Sequence, residues 1–263
     1  MYSWIHRRSP RAREAHSRLS LAAALAFALT PLTPSASDAQ APSGADARRI
    51  HELAAYATVR IDTGTGSFGS GWLLEQSGRP LIITNAHVVR RVGRSARAFF
   101  YRGASAADVP VPVERFYISG DIDLGILRLT EDPPATARPV PLHTDTDVYR
   151  GERVVLGGNP SSGQTILPFQ TTEGVVTGHV SGRAYAECGL NRNCVVVDAT
   201  SFRGSSGGPA FDGSGRLVGM LWGGPTQTVS VGHAAVGSVQ NVAFSYLIHT
   251  RTIAAELRAL EAP

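Results

Sequence analysis

The chain has 263 residues, 43% hydrophobic and 17% charged, a composition that excludes an intrinsically disordered polymer and leaves room for one domain or two small ones sharing a core. Its formal charge is +4, and every one of the 25 basic residues is Arg. Residues 1–39 carry five Arg against Glu14 and Asp38, so the remainder stands near +1 and holds no basic cluster of the kind that marks a nucleic-acid or membrane-surface binder.

The N-terminus reads as an export signal. Arg7, Arg8, Arg11, Arg13 and Arg18 precede an apolar run from Leu19 to Leu29, and small residues follow at Ser35, Ala36, Ser37 and Ala39. Ser37 and Ala39 occupy the two positions a signal peptidase reads, which puts cleavage after Ala39. The competing reading is a membrane anchor, but eleven apolar residues fall short of the ~20 a spanning helix needs. The expectation is therefore an exported protein, periplasmic or extracellular, without a stable membrane anchor. The Arg7-Arg8 pair could suggest twin-arginine export, yet Ser-Pro-Arg lacks the apolar character that should follow it.

Residues 40–55 read as a leader or linker, its first part rich in Pro, Ser, Gly and Ala. From Tyr56 on, short β-rich runs recur between turns marked by many of the 28 glycines and 16 prolines. The runs are Tyr56–Ile61, Gly71–Glu75, Leu81–Thr84, Ala98–Tyr101, Val109–Tyr117 and Leu124–Leu129, then, beyond a Pro-rich bridge at Pro133–Pro141, Arg153–Gly157, Thr165–Thr172, Gly174–His179, Cys194–Asp198, Pro209–Phe211, Leu217–Trp222 and Val242–Leu247. The bridge divides them into comparable sets, at about 56–140 and 150–247, compatible with two barrels or with two halves of one large β domain. Only Thr250–Leu260 has helical spacing, with Ile253, Leu257 and Leu260 on one side. Cys188 and Cys194 are the only cysteines; in an exported chain they read as a disulfide closing a short surface hairpin, with two free thiols as the alternative.

Three motifs carry chemistry. In Thr84-Asn85-Ala86-His87 an imidazole at the end of an apolar strand is placed to act as a general base. In Asp121-Ile122-Asp123-Leu124-Gly125 an acid at the mouth of a buried strand can accept the Nδ1 hydrogen of such a ring. Asp121 and Asp123 share a face of a regular strand, so alternation does not choose between them. In Gly204-Ser205-Ser206-Gly207-Gly208-Pro209 a hydroxyl sits among glycines that allow a tight turn with converging backbone N–H groups. Taken singly, a structural His, a turn Asp and a Gly/Ser linker are the plainer readings.

Taken together, the motifs resemble the triad of the chymotrypsin/trypsin clan, nearest its bacterial Deg-type and glutamyl-endopeptidase-like branches. The order His, Asp, Ser, with spacings of 36 and 83 residues, is the one that clan uses. The resemblance covers about residues 56–250. It implies an all-β fold of two six-stranded antiparallel β-barrels with a C-terminal helix, and a secreted serine endopeptidase acting on proteins or peptides through His87, Asp123 and Ser206. The oxyanion hole would be the N–H groups of Gly204 and Ser206. No metal or organic cofactor is implied. Alternatives are a catalytically silent peptide-binding member of the fold and an esterase using the same triad. Departures from the clan limit the transfer: Ser205 stands where animal trypsins carry an Asp that pairs with a new N-terminus, so that activation route is not expected. The chain stops soon after its last strand, so a PDZ domain of the Deg type is not expected either.

The resemblance also marks a substrate pocket. Thr200 stands where trypsins carry an Asp, and Leu221, Trp222 and Gly223 correspond to the wall where glutamyl endopeptidases place a His. Such a pocket has no fixed charge and is expected to prefer small or medium apolar side chains, unless His233 folds into it.

Overall fold

The computed structural model describes residues 44–76, 79–103, 109–145, 147–162, 165–181, 185, 188, 194–224, 226–231, 234–240 and 244–261. Residues 1–39, which read as an export signal, and His233 lie outside them.

Alternating apolar residues build a first closed barrel from β1 (Thr58–Asp62), β2 (Phe68–Gln76), β3 (Arg79–Thr84), β4 (Arg97–Phe100), β5 (Val111–Ile118) and β6 (Gly125–Leu129), in the order β1-β2-β3-β6-β5-β4. A one-turn helix, α2 (Ala86–Val89), follows β3. The interior holds Val59, Ile61, Leu73, Ile82, Phe100 and Leu127, all 1% exposed or less. A second closed barrel comprises β7 (Arg153–Gly158), β10 (Gln170–Val180), β11 (Cys194–Val197), β12 (Pro209–Asp212), β13 (Leu217–Gly223) and β16 (Ser245–His249), in the order β10-β11-β16-β13-β12-β7. Every ladder in both barrels is antiparallel. Two ribbons stand outside the barrels: β8 (Ser161–Ser162) with β9 (Thr165–Ile166), and β14 (Thr226–Val231) with β15 (Ala234–Gln240). The closing helix α3 (Thr250–Glu261) buries Ile253, Ala254 and Leu257.

Two expectations need correction. Residues 44–55 are not a linker: Gly44–Ala57 form helix α1, which takes Tyr56 and Ala57 from the expected first strand. The helix buries Ile50, Ala54 and Ala57, four and three residues apart on one face. On its outer side His51 meets Thr171 at 2.8 Å and Glu173 at 3.2 Å on β10, and Arg153 of β7 completes that ion cluster. The run Thr165–Thr172 is also not one strand: it breaks at Leu167–Phe169, where Phe169 takes φ +54°. Cys188 and Cys194 are bonded, as expected, and both are fully buried against the main core; the expected hairpin between them lies outside the described residues.

Candidate active site

His87 owes its position to its neighbours. Ala86, Val88 and Val89 are buried and anchor α2, which leaves the His87 ring half-exposed. Asn85, also fully buried, donates through Nδ2 to the Asp123 carbonyl at 2.9 Å, binding the β3–α2 junction to the β5–β6 turn.

That turn sets the two acids in different surroundings. Asp121–Asp123 are not on a strand, because β6 begins at Gly125. Ser119 Oγ accepts the N–H groups of Asp121 and Ile122, each at 3.1 Å, while Ile122 and Leu124 point into the core. Asp121 is left exposed, whereas Asp123 is 3% exposed. The Asp123 carboxylate accepts twice from His87, from Nδ1–H at 2.6 Å and from the backbone N–H at 2.8 Å. An ionised carboxylate only accepts, so this bond keeps the proton on Nδ1 and leaves Nε2 with a free lone pair.

Ser206 lies on the loop between β11 and β12. Ser205 N–H donates to the Phe202 carbonyl at 3.0 Å, closing a turn in which Gly204 has φ +93°. Positive φ at this place is the mark of a type II turn. A Cβ there would strike the Asn159 carbonyl, so glycine is required on two counts. The carbonyl of Arg203 accepts from the N–H and Oγ of Ser161, at 2.8 and 3.1 Å. The peptide group is planar and trans, so fixing that carbonyl aims the Gly204 N–H the opposite way.

A buried serine of the first barrel ties down the same turn. Ser70 Oγ donates to the Gly204 carbonyl at 2.7 Å and accepts from Asn159 N–H at 2.9 Å and Asn159 Nδ2 at 3.0 Å. Its backbone N–H donates to the Ser206 carbonyl at 2.8 Å. His87, Gly204 and Ser206 border one cleft of about 600 Å3, together with Phe68, Arg91 and Arg203. Among the described residues no hydrogen bond joins Ser206 Oγ to the His87 ring; such bonds are often long until substrate is bound.

The family described as Trypsin-like peptidase domain matches residues 69–220, more than half of the chain and a span that includes His87, Asp123 and Ser206. The chain belongs to the trypsin-like peptidase family. Within this family it is similar to Deg/HtrA serine proteases. It is 31% identical over 153 residues to "Protease Do-like 1, chloroplastic" of Arabidopsis thaliana, covering 58% of this chain and 32% of that one. It is 30% identical over 181 residues to "Probable periplasmic serine endoprotease DegP-like" of Bartonella henselae, covering 68% and 30%. The chain thus spans about a third of the length of the relatives it matches. The active form of the Rv3671c protease from M. tuberculosis has the same fold, with TM-score 0.61 at 20% identity over 84% of this chain and 88% of that one.

In this trypsin-like peptidase domain the expected pocket residues separate. Thr200 and Leu221 line a second cavity, of about 200 Å3, with Leu156, Leu167, Phe202 and Ser205. Among the described residues no charged side chain borders it, and neither do Trp222, Gly223 or Ser206. Trp222 instead packs at a tilt beside Tyr246, with ring centroids 6.0 Å apart. Sequence reasoning missed Ser70, Asn159 and Ser161. Only Ser70 left a signal: it lies between Gly69 and Gly71, two glycines whose Cβ positions neighbouring side chains already fill.

Proposed function

We propose that this protein is an exported serine endopeptidase. His87 Nε2 takes the proton of Ser206 as its Oγ attacks the substrate carbonyl, and Asp123 steadies the imidazolium that forms. The Gly204 and Ser206 N–H groups stabilise the oxyanion, a contribution of about 3 kcal/mol per donor. His87 then returns the proton to the departing amine, leaving an acyl group on Ser206, and water repeats the sequence to release it. The observation that carries this reading is the 2.6 Å bond from His87 Nδ1 to Asp123 on the cleft that Ser206 borders. An apolar side chain before the cleaved bond follows from the uncharged cavity of Thr200 and Leu221. Export follows from residues 1–39 and is supported by the Cys188–Cys194 bridge.

The test is reaction with a fluorophosphonate, followed by peptide mapping. The label is expected on Ser206, and Ser206→Ala is expected to lose both the label and peptide hydrolysis, the latter by ~10⁴-fold or more. A folded protein that takes no label, or takes it elsewhere, refutes the assignment. Cleavage of esters without any peptide would convert it to an esterase.

A further inference from the structure

The charge distribution of the cleft specifies the substrate further, and this step rests on the serine-protease reading above. Among the described residues, the cleft that holds His87 and Ser206 is bordered by two Arg side chains, Arg91 and Arg203, and by no Asp or Glu. Both arginines are exposed, and among the described residues neither has a carboxylate within salt-bridge distance. Asp62, the acid nearest in sequence to the wall at residues 63–68, has its carboxylate on the Gly64 N–H at 2.9 Å. Each cation springs from fixed backbone. Arg91 follows α2, with its N–H on the Val88 carbonyl at 3.0 Å and its own carbonyl held by Thr65 Oγ1 at 2.9 Å. Arg203 belongs to the turn that Ser161 anchors. One cation thus comes from each barrel, and both flank the same cleft.

Unpaired cations in a cleft raise its potential and favour an anionic occupant, and a guanidinium fits a carboxylate with two parallel hydrogen bonds. The chemistry says which half of the substrate they meet. His87 hands its proton to the departing amine, so the chain beyond the cleaved bond must pass the His87 side of Ser206. The cavity of Thr200 and Leu221 is not bordered by His87 and stays available to the acyl half. We infer that the cleft selects peptides with Asp or Glu among the first three residues after the cleaved bond, read by Arg91 and Arg203.

The test uses peptides blocked at both ends, with one shared acyl half and Glu, Gln or Lys at the second position after the bond. Glu is expected to exceed Gln in kcat/KM by about fivefold, the scale of one partly exposed ion pair, and Lys to fall below Gln. The Glu advantage should shrink towards unity in 1 M salt, where the screening length is about 3 Å. Arg91→Glu with Arg203→Glu should invert the order, favouring Lys. Binding of the same peptides to Ser206→Ala, followed by fluorescence anisotropy, should rank them alike without any turnover. Equal rates and equal binding for all three would overturn the inference, as would a Glu preference that survives the double charge reversal. A preference that appears only with a free C-terminal carboxylate would overturn it too, assigning the arginines to a chain end. The two readings fail separately: cleavage without acidic preference sinks only this one, while acidic binding without cleavage or fluorophosphonate labelling sinks only the protease.

Discussion

At the scale of single residues, two neighbouring acids end in opposite surroundings, Asp121 exposed and Asp123 buried against His87. Asp121 and Asp123 are two apart, and a regular strand would set them on one face. The chain instead turns through Ser119–Leu124, where one hydroxyl holds two N–H groups and buries Ile122 and Leu124 on either side of Asp123. The motif register pointed to Asp123, while the reason for it lies in a turn that strand logic could not supply. Asp123→Asn is expected to lower kcat by roughly 10⁴-fold, because an amide facing Nδ1 favours the wrong tautomer. Asp121→Asn should stay within about threefold of the wild type, since its side chain is exposed. Steady-state rates of the two variants decide the matter, and an inactive Asp121→Asn beside an active Asp123→Asn would reverse it. His87 and Ser206 stand out in the sequence for a simpler reason: Gly204 and Gly207 supply the positive φ that the turn around Ser206 needs, and His87 closely follows the apolar strand β3 and Asn85.

Among elements, the barrel strands could be read because burial on one face forces alternation, and their edges moved by only a few residues. Helix α1 could not. Its sequence, Gly-Ala-Asp-Ala-Arg-Arg-Ile-His-Glu-Leu-Ala-Ala-Tyr-Ala, buries mainly alanines beside Ile50, so no stripe of large apolar residues announces it. The β14–β15 ribbon escaped notice because it pairs only with itself, and its sequence is small and polar apart from valines. The β12–β13 hairpin carries a prediction of its own. Burial raises the Asp212 carboxyl pKa, but hydrogen bonds from Ser214 and Arg216 outweigh this, and the net shift is downward. Those bonds are Ser214 Oγ–H at 2.6 Å, Ser214 and Arg216 N–H at 2.9 Å each, and Arg216 Nε at 3.0 Å. A depressed carboxylate stabilises the fold in full above its ordinary value, near pH 4, and loses that contribution as pH falls through the lowered value. Asp212→Ala should therefore cost about 1–3 kcal/mol at pH 7. In urea denaturation the gap between wild type and variant should narrow steadily below about pH 4. A gap that stays constant down to pH 2 would show that the charge is irrelevant.

Across the whole molecule, the two barrels are bound together at the site and away from it. Helix α1 leads into the first barrel yet lies on the second, through His51, Thr171 and Glu173. Helix α3 closes the second barrel and reaches the first, where Tyr117 donates to Glu256 at 2.6 Å. At the centre stands Ser70, whose hydroxyl and N–H both hold the turn carrying Ser206. Ser70→Ala frees the Gly204 carbonyl, strips the Asn159 N–H of its acceptor and leaves Asn159 Nδ2 only the Val59 carbonyl. If Ser70 positions the oxyanion donors, kcat should fall 10- to 100-fold, the scale of a small misplacement of catalytic groups, with KM changed far less. Equal losses in kcat and folded fraction, measured by circular dichroism, would reduce Ser70 to a support of the fold.

The Ser70 bonds also make the candidate site a joint product of both barrels. The second barrel supplies the hydroxyl and the first supplies the imidazole, but the first also shapes the very turn on which that hydroxyl sits. Either barrel alone therefore holds only part of the site, and the cleft that His87 and Ser206 border exists only where both barrels are in place.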